Sequence, residues 1–144
     1  MEKLNLSKRV EIAIDGDPER VIRFNPEDVH LRARLFEFSR LAAQKEKEIQ
    51  AKAAEIEALS GEDESGIPNQ AEPTVALMVE YANFFMAQID DVFGAGTSQK
   101  VFADGFDFGS AEIFLKYVLE KLGGTSEQKI EQRLNKKSNK KVMD

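Results

Sequence analysis

One stretch, from Pro73 to Ser98, restricts the fold more than any other part of the chain. Its apolar residues recur at helical spacing as far as Phe93, so they form one continuous face of a helix. Gly94 and Gly96 then supply the backbone freedom that the chain needs in order to leave the helix. The pattern predicts a helix over 73–93 that lies near the middle of the fold. The residues of its apolar face are Val75, Met78, Val79, Ala82, Phe84, Phe85, Met86, Ile89 and Phe93.

Two acidic residues, Asp90 and Asp91, stand in the last turn of this predicted helix. The helix dipole disfavours negative charge at that end, by about 0.3–1 kcal/mol for each exposed charge. We therefore expect these carboxylates to have another task, such as pairing with a lysine or capping the next segment.

The composition limits the class of protein. A chain of 144 residues has the size of one domain. The net charge of −6 argues against nucleic acid as the main partner. The chain has no cysteine, which excludes a disulfide scaffold and a thiolate zinc site. No apolar run approaches the roughly 20 residues of a membrane helix, so we expect a soluble cytoplasmic protein with no membrane partner.

The N-terminal part predicts a β-hairpin over 8–24. Two short alternating segments flank Asp15-Gly16-Asp17-Pro18, in which Gly16 can adopt positive φ. Two strands alone are only marginally stable, so they must pack on helices or pair with the edge of another chain. Asn25 and Pro26 follow as a helix start, with Asn25 as the N-cap.

The helix that begins there is predicted over 26–59. Its first half has a good core face, whereas its second half is thinner and richly charged, with Lys45 and Lys52 at positions where the spacing would place apolar residues. This second half, which carries Ile49 and Ile56, either packs in its own domain or engages a partner helix. A linker over 60–71 lets the helix at 73–93 fold back antiparallel.

A glycine-rich segment over 94–109 is unusually aromatic. Exposed together, its phenylalanines would rival the largest apolar patch of a typical monomer, about 300–600 Å². They are therefore expected to be buried, either in a compact loop of their own domain or against another protein. The residues predicted to contact a partner are Phe93, Phe102, Phe106, Phe108, Ile49 and Ile56.

The C-terminal part predicts one more helix, over 110–122, capped by Asp107 or Ser110. It is apolar nearly all round, which indicates burial on most sides. The domain would then span 1–124, and its class is α+β, mainly α: a hairpin followed by a long helical hairpin and a terminal helix. Residues 125–144 carry six basic and three acidic residues, which predicts a basic flexible tail that folding does not need.

The chain shows no pattern typical of catalysis, a cofactor or a metal. The segment Gly94–Lys100 lacks the spacing of a phosphate-binding loop, and His30 is the single histidine. The acidic run 62–64 lacks the alternation of a calcium loop. We therefore predict a protein that is not an enzyme and holds no cofactor or metal.

A more specific pattern lies at 89–98, which reads Ile-Asp-Asp-Val-Phe-Gly-Ala-Gly-Thr-Ser, with the Val101–Phe102 step behind it. This acidic helix end, its glycine turn and the final apolar helix resemble the tail assembly chaperones of long-tailed phages and prophages of Gram-positive bacteria. The hairpin leading into Asn25–Asp28 and a long helix is similar to the same family. The resemblance covers about residues 10–122. Its specific part is 89–102, after which this chain reads Ala-Asp-Gly where the family usually has a Phe-Gly pair.

The resemblance implies a non-catalytic protein that coats the helical tape-measure protein in the host bacterial cytoplasm, before tail tube subunits polymerise around it. The implied partners are the tape-measure protein and the tail tube protein, with self-association left open. Two other classes stay open at this point. One is a structural component of the virion, such as a tail-completion or connector protein. The other is a small regulatory module whose basic tail contacts nucleic acid.

Overall fold

The chain starts with a two-stranded antiparallel hairpin. The computed structural model describes residues 1–6 and 9–123, in which β1 (Val10–Ala13) pairs with β2 (Val21–Phe24). The register places Val10 opposite Phe24. Gly16 has a φ of 74°, as predicted for the turn, and the preceding Asp15 is also left-handed, with a φ of 53°.

Helix α1 (Val29–Glu57) begins three residues later than predicted. Its N-cap is Asp28, whose carboxylate accepts a hydrogen bond from the N–H of His30 at 2.9 Å. Asn25 instead accepts from the N–H of Glu27 at 3.0 Å and forms a separate turn, so the helix cannot start there.

The segment between the two long helices has its own hydrogen-bonded turn. Asp63 accepts from the N–H groups of Ser65 and Ile67 at 2.8 and 3.0 Å. Helix α2 (Ala71–Phe93) then begins two residues before the predicted start at Pro73. Proline is tolerated there because the first turn of a helix needs no N–H donor.

Helices α1 and α2 lie antiparallel, because residues that are successive along α1 meet residues in reverse order along α2. Arg34 donates to the carbonyl oxygen of Val92 at 2.9 Å, whereas Lys52, further along α1, donates to Glu80 at 2.7 Å. Lys45 also approaches Glu80, at 3.7 Å. The lysines that interrupt the apolar spacing therefore form ion pairs between the helices.

The predicted aromatic loop contains a short helix, α3 (Thr97–Val101). The last helix, α4 (Phe108–Lys121), begins two residues earlier than predicted because Asp107 is its N-cap. The Asp107 carboxylate accepts from the N–H and the hydroxyl of Ser110, both at 2.7 Å.

The core lies where the hairpin, the first half of α1, the last half of α2, α3 and α4 meet. This arrangement confirms the predicted class, α+β and mainly α, with an N-terminal hairpin followed by helices.

Among the described residues, no helix is both long and apolar enough to span a membrane. The predicted tail at 125–144 lies outside the described residues. The buried apolar residues are Ile22, Phe24, Leu31, Leu35, Phe38, Ile89, Val92, Val101, Phe102, Ala111, Phe114, Val118 and Leu122.

Candidate functional site

Among residues 1–6 and 9–123, helix α4 is covered on one side only, and there the prediction of burial on most sides was wrong. Ala111, Phe114 and Val118 face the core and are buried. Ile113 is 72% exposed and Leu119 is 47% exposed. The described part of the chain brings no element against these outer positions, which leaves apolar surface of α4 open to solvent.

An apolar groove of about 410 Å³ opens between α2 and α4. One side comes from α2, through Tyr81 and Phe85, and the other from the length of α4. Because its lining is almost entirely apolar, the groove is suited to apolar side chains of a ligand or a partner. The lining residues are Tyr81, Phe85, Phe108, Ala111, Glu112, Leu115, Lys116 and Leu119.

A continuous row of aromatic rings connects the groove to the core. Phe102 contacts Phe106 at a ring-centroid distance of 4.7 Å, and Phe106 contacts Phe108 at 5.1 Å. Phe108 in turn lies 5.4 Å from Tyr81 and 6.2 Å from Phe85. These edge-on and tilted contacts are the favourable geometries of aromatic pairs, so the rings form one packed wall. We call Phe102, Phe106 and Phe108 the aromatic wall.

The four phenylalanines predicted to contact a partner have different positions. Phe108 is exposed and lines the groove. Phe102 is only 6% exposed, and Phe106 packs partly buried against the core. Phe93 lies between Phe24 and Phe114, with ring-centroid distances of 5.9 and 5.4 Å. Of the four, Phe108 is thus the one placed in the groove, while the others pack within the domain.

The predicted pair on α1, Ile49 and Ile56, is half-buried and lies away from the groove. Both share the row of α1 that carries Lys45 and Lys52, whose ammonium groups reach Glu80 on α2. The row therefore faces α2. The sequence left two alternatives for the second half of α1, packing in its own domain or engaging a partner helix. The structure shows this half packed against α2 of its own domain.

Tyr81, Leu115 and Leu119 were missed as site residues. A signal was present on each helix: Tyr81 and Phe85 are four residues apart, and Phe108, Leu115 and Leu119 follow at steps of seven and four. Both spacings place side chains on one face of a helix. Periodicity alone could not show that the two faces border the same groove.

The groove carries few polar groups. Burial raises the pKa of the Tyr81 hydroxyl, and the negative charge of Glu46 adds to this effect. A tyrosine hydroxyl with its ordinary pKa of about 10 is already protonated at neutral pH, and a raised pKa favours the same state. The Tyr81 hydroxyl can donate a hydrogen bond at the edge of the groove, while Glu112 and Lys116 add one charge of each sign.

The 89–98 motif forms the corner between α2 and α3. Asp90 accepts two hydrogen bonds from Ser98, and the hydroxyl of Thr97 donates to the carbonyl oxygen of Gly94 at 2.8 Å. Gly94 and Gly96 have φ values of 115° and 88°, which L side chains rarely adopt. Two tasks were expected for the acidic residues at this helix end, pairing with a lysine or capping the next segment, and Asp90 performs the second.

Within residues 1–6 and 9–123, no group of three or more His, Cys, Asp or Glu side chains could hold a metal ion. The arrangement of the groove favours the binding of apolar surface by shape and desolvation.

A comparison with protein families matches residues 20–142 to a family of unknown function, DUF6673. The match includes every helix described above and the second strand of the hairpin. No curated protein and no solved structure matches the chain. Because the match covers most of its length, the chain belongs to the DUF6673 family.

Proposed function

We propose that this protein is a tail assembly chaperone of a long-tailed phage, which binds the tape-measure protein before the tail tube polymerises. The proposal starts from the resemblance of residues 89–102 to that class of chaperone. It places the protein in the cytoplasm of the bacterial host and gives it no catalytic role.

The open groove between α2 and α4 is the observation that carries the proposal. An amphipathic helix buries its apolar face when it lies in such a groove, with side chains one turn apart as anchors. A tape-measure protein is a long helix with apolar stripes, which would aggregate if they stayed uncovered. Phe108 and Leu119 are exposed and would be covered by such a stripe. Each Å² of apolar surface removed from water would stabilise the complex by about 25 cal/mol.

The charge distribution supports a soluble cover. The net charge of −6 keeps copies of the complex apart, and α2 carries four acidic residues with no lysine or arginine. An acidic surface attracts basic segments of a partner and raises the association rate more than the affinity. Modest affinity suits a chaperone that tail tube protein must displace.

The test is co-expression with a tape-measure protein from the same phage genome, scored by the amount of the tape-measure protein in the soluble fraction. Leu119→Glu places a charge in the groove and should abolish solubilisation. Leu119 is already partly exposed, so the fold should persist. Ile113→Glu is the matched control, because Ile113 lies on the same helix, is exposed and does not line the groove.

Four results would contradict the proposal. The first is a wild-type protein that leaves the partner insoluble, and the second is equal loss with both variants. The third is recovery of the chain from purified phage particles, which would favour a structural virion component instead. A stable dimer joined through the same groove would also count against it, since the groove would then be occupied by a second copy.

A further inference from the structure

One arginine, Arg20, connects the hairpin turn by hydrogen bonds to the segment that precedes α4. The side chain of Arg20 is 13% exposed. Its guanidinium donates to the carbonyl oxygens of Lys100 and Val101 at 2.7 and 3.1 Å, and to the carboxylate of Asp104 at 3.1 Å. Lys100 returns a hydrogen bond from its ammonium to the carbonyl oxygen of Val21 at 3.2 Å. We call this set of contacts the Arg20 clamp.

The chemistry of arginine suits this position. Lys100 and Val101 are at the end of α3, where carbonyl oxygens have no partner within the helix and carry partial negative charge. The rigid planar guanidinium can donate to both oxygens and to Asp104 at once. A lysine ammonium is a compact point charge without that fork geometry.

The clamp is directly connected to the aromatic wall. Val101 is followed by Phe102, whose carbonyl oxygen accepts the N–H of Gly105 at 3.0 Å and closes a turn around Asp104. The turn leads to Phe106, which contacts Phe102. Phe106 and Phe108 then contact each other, and Phe108 lines the groove.

We propose that Arg20 is a positioning residue, which holds the aromatic wall in place and thereby sets the shape of the groove between α2 and α4. Arg20 lies outside the groove itself. The inference rests on the proposed function only in treating the groove as a binding surface. It predicts that the hairpin turn and the groove are coupled, so that loss of the clamp changes the groove without changing any lining residue.

Fluorine NMR of protein labelled with 4-fluorophenylalanine tests this inference. Signals of Phe106 and Phe108 are assigned from the spectra of Phe106→Leu and Phe108→Leu. In Arg20→Lys, both signals should shift by more than their linewidth at a temperature where the variant is folded. Asp104→Asn, which weakens a single contact of the clamp, should shift them in the same direction by less.

Arg23→Lys is the matched control, because Arg23 lies on the same hairpin and its guanidinium pairs with Glu11 of the neighbouring strand, at 2.9 Å. Its spectrum should match the wild type at Phe106 and Phe108. Unshifted signals in both clamp variants would overturn the inference, as would equal shifts in Arg23→Lys. The NMR result is independent of the tape-measure protein, so a failed solubilisation assay contradicts the proposed function and leaves the coupling standing.

Discussion

Ser98 donates two hydrogen bonds to the carboxylate of Asp90, from its N–H to Oδ1 at 2.8 Å and from its hydroxyl to Oδ2 at 3.0 Å. Ser98 is 2% exposed, so water cannot replace these contacts. The pair links the last turn of α2 to the first turn of α3. It explains why an acidic residue is tolerated where the helix dipole disfavours negative charge.

Removal of this link should destabilise the fold. Asp90→Ala leaves two buried donors of Ser98 without an acceptor, which costs about 1–3 kcal/mol. The measurement is the free energy of unfolding in urea. The control is Asp91→Ala, at an exposed neighbour in the same helical turn, which should be neutral or slightly stabilising because an unfavourable charge is removed. Equal destabilisation by both variants would show that the Ser98 contacts carry no stability.

Substitutions at different positions of the aromatic wall should affect stability and binding differently. Phe102→Ser empties a buried core position, and truncation of a buried phenylalanine costs about 3–5 kcal/mol. Phe108→Ser should cost clearly less because Phe108 is partly exposed, yet it should abolish solubilisation of the tape-measure protein. Thermal unfolding and the co-expression assay measure the two effects.

The control for that pair is Phe36→Ser, since Phe36 is an exposed phenylalanine of α1 outside the groove. It should leave both stability and solubilisation close to the wild type. If a variant with Phe102, Phe106 and Phe108 all changed to serine kept its stability and its solubilising activity, the role assigned to the wall would be wrong.

The ion pairs between α1 and α2 should fix how the helices align. The hydrogen bond from Lys52 holds the pKa of the Glu80 carboxyl below its usual range, and the same contact raises the pKa of Lys52. Glu80→Lys should lower the melting temperature because three lysines would then meet, and Lys52→Glu in the same chain should restore part of it. The control is Glu37→Lys, whose arginine partner lies on the same helix. A double variant no more stable than Glu80→Lys alone would contradict the pairing.

The N-cap of α4 should make stability depend on pH. The Ser110 hydroxyl holds the pKa of Asp107 below its usual value, and the N–H of Ser110 adds to this. A carboxyl with a lowered pKa stabilises the fold above its unfolded-state pKa, about 3.9, and loses this contribution as the pH falls through the lower folded value.

Asp107→Asn keeps an acceptor but removes the charge, so it should be less stable than the wild type at pH 7. The difference should shrink as the pH falls below about 4. Urea unfolding of both proteins between pH 7 and pH 3 measures it. A constant difference across that range would show that the charge of Asp107 has no part in the cap.

Much of the local structure follows from the sequence, because short-range patterns report backbone preferences. The turn at Gly16 and the end of α2 before Gly94 could each be predicted from residues within a few positions. For Asp90 the sequence left two tasks open, and the contact with Ser98 decides for capping. The predicted start of α1 was wrong because Asn25 and Asp28 are both good N-cap residues. Only the turn that Asn25 forms decides between them.

The candidate site could not be predicted from the sequence, because it is formed by contacts between residues that are far apart along the chain. Helix α3 lies inside a segment predicted as a loop, and its last carbonyl oxygens are satisfied by Arg20, 80 positions earlier in the chain. Periodicity correctly showed that α4 has apolar residues on several sides, and it predicted burial on most of them. Within the part of the chain that the structure describes, other elements pack against only one side of α4.

The sequence by itself thus determined the class of fold, the main helices and the way α2 ends, because these depend on backbone preference and on spacing along one helix. Only the tertiary structure decided which apolar faces stay open. Burial depends on which elements meet in space, and here α2 and α4 meet around Phe85 and Phe108 with a groove left between them.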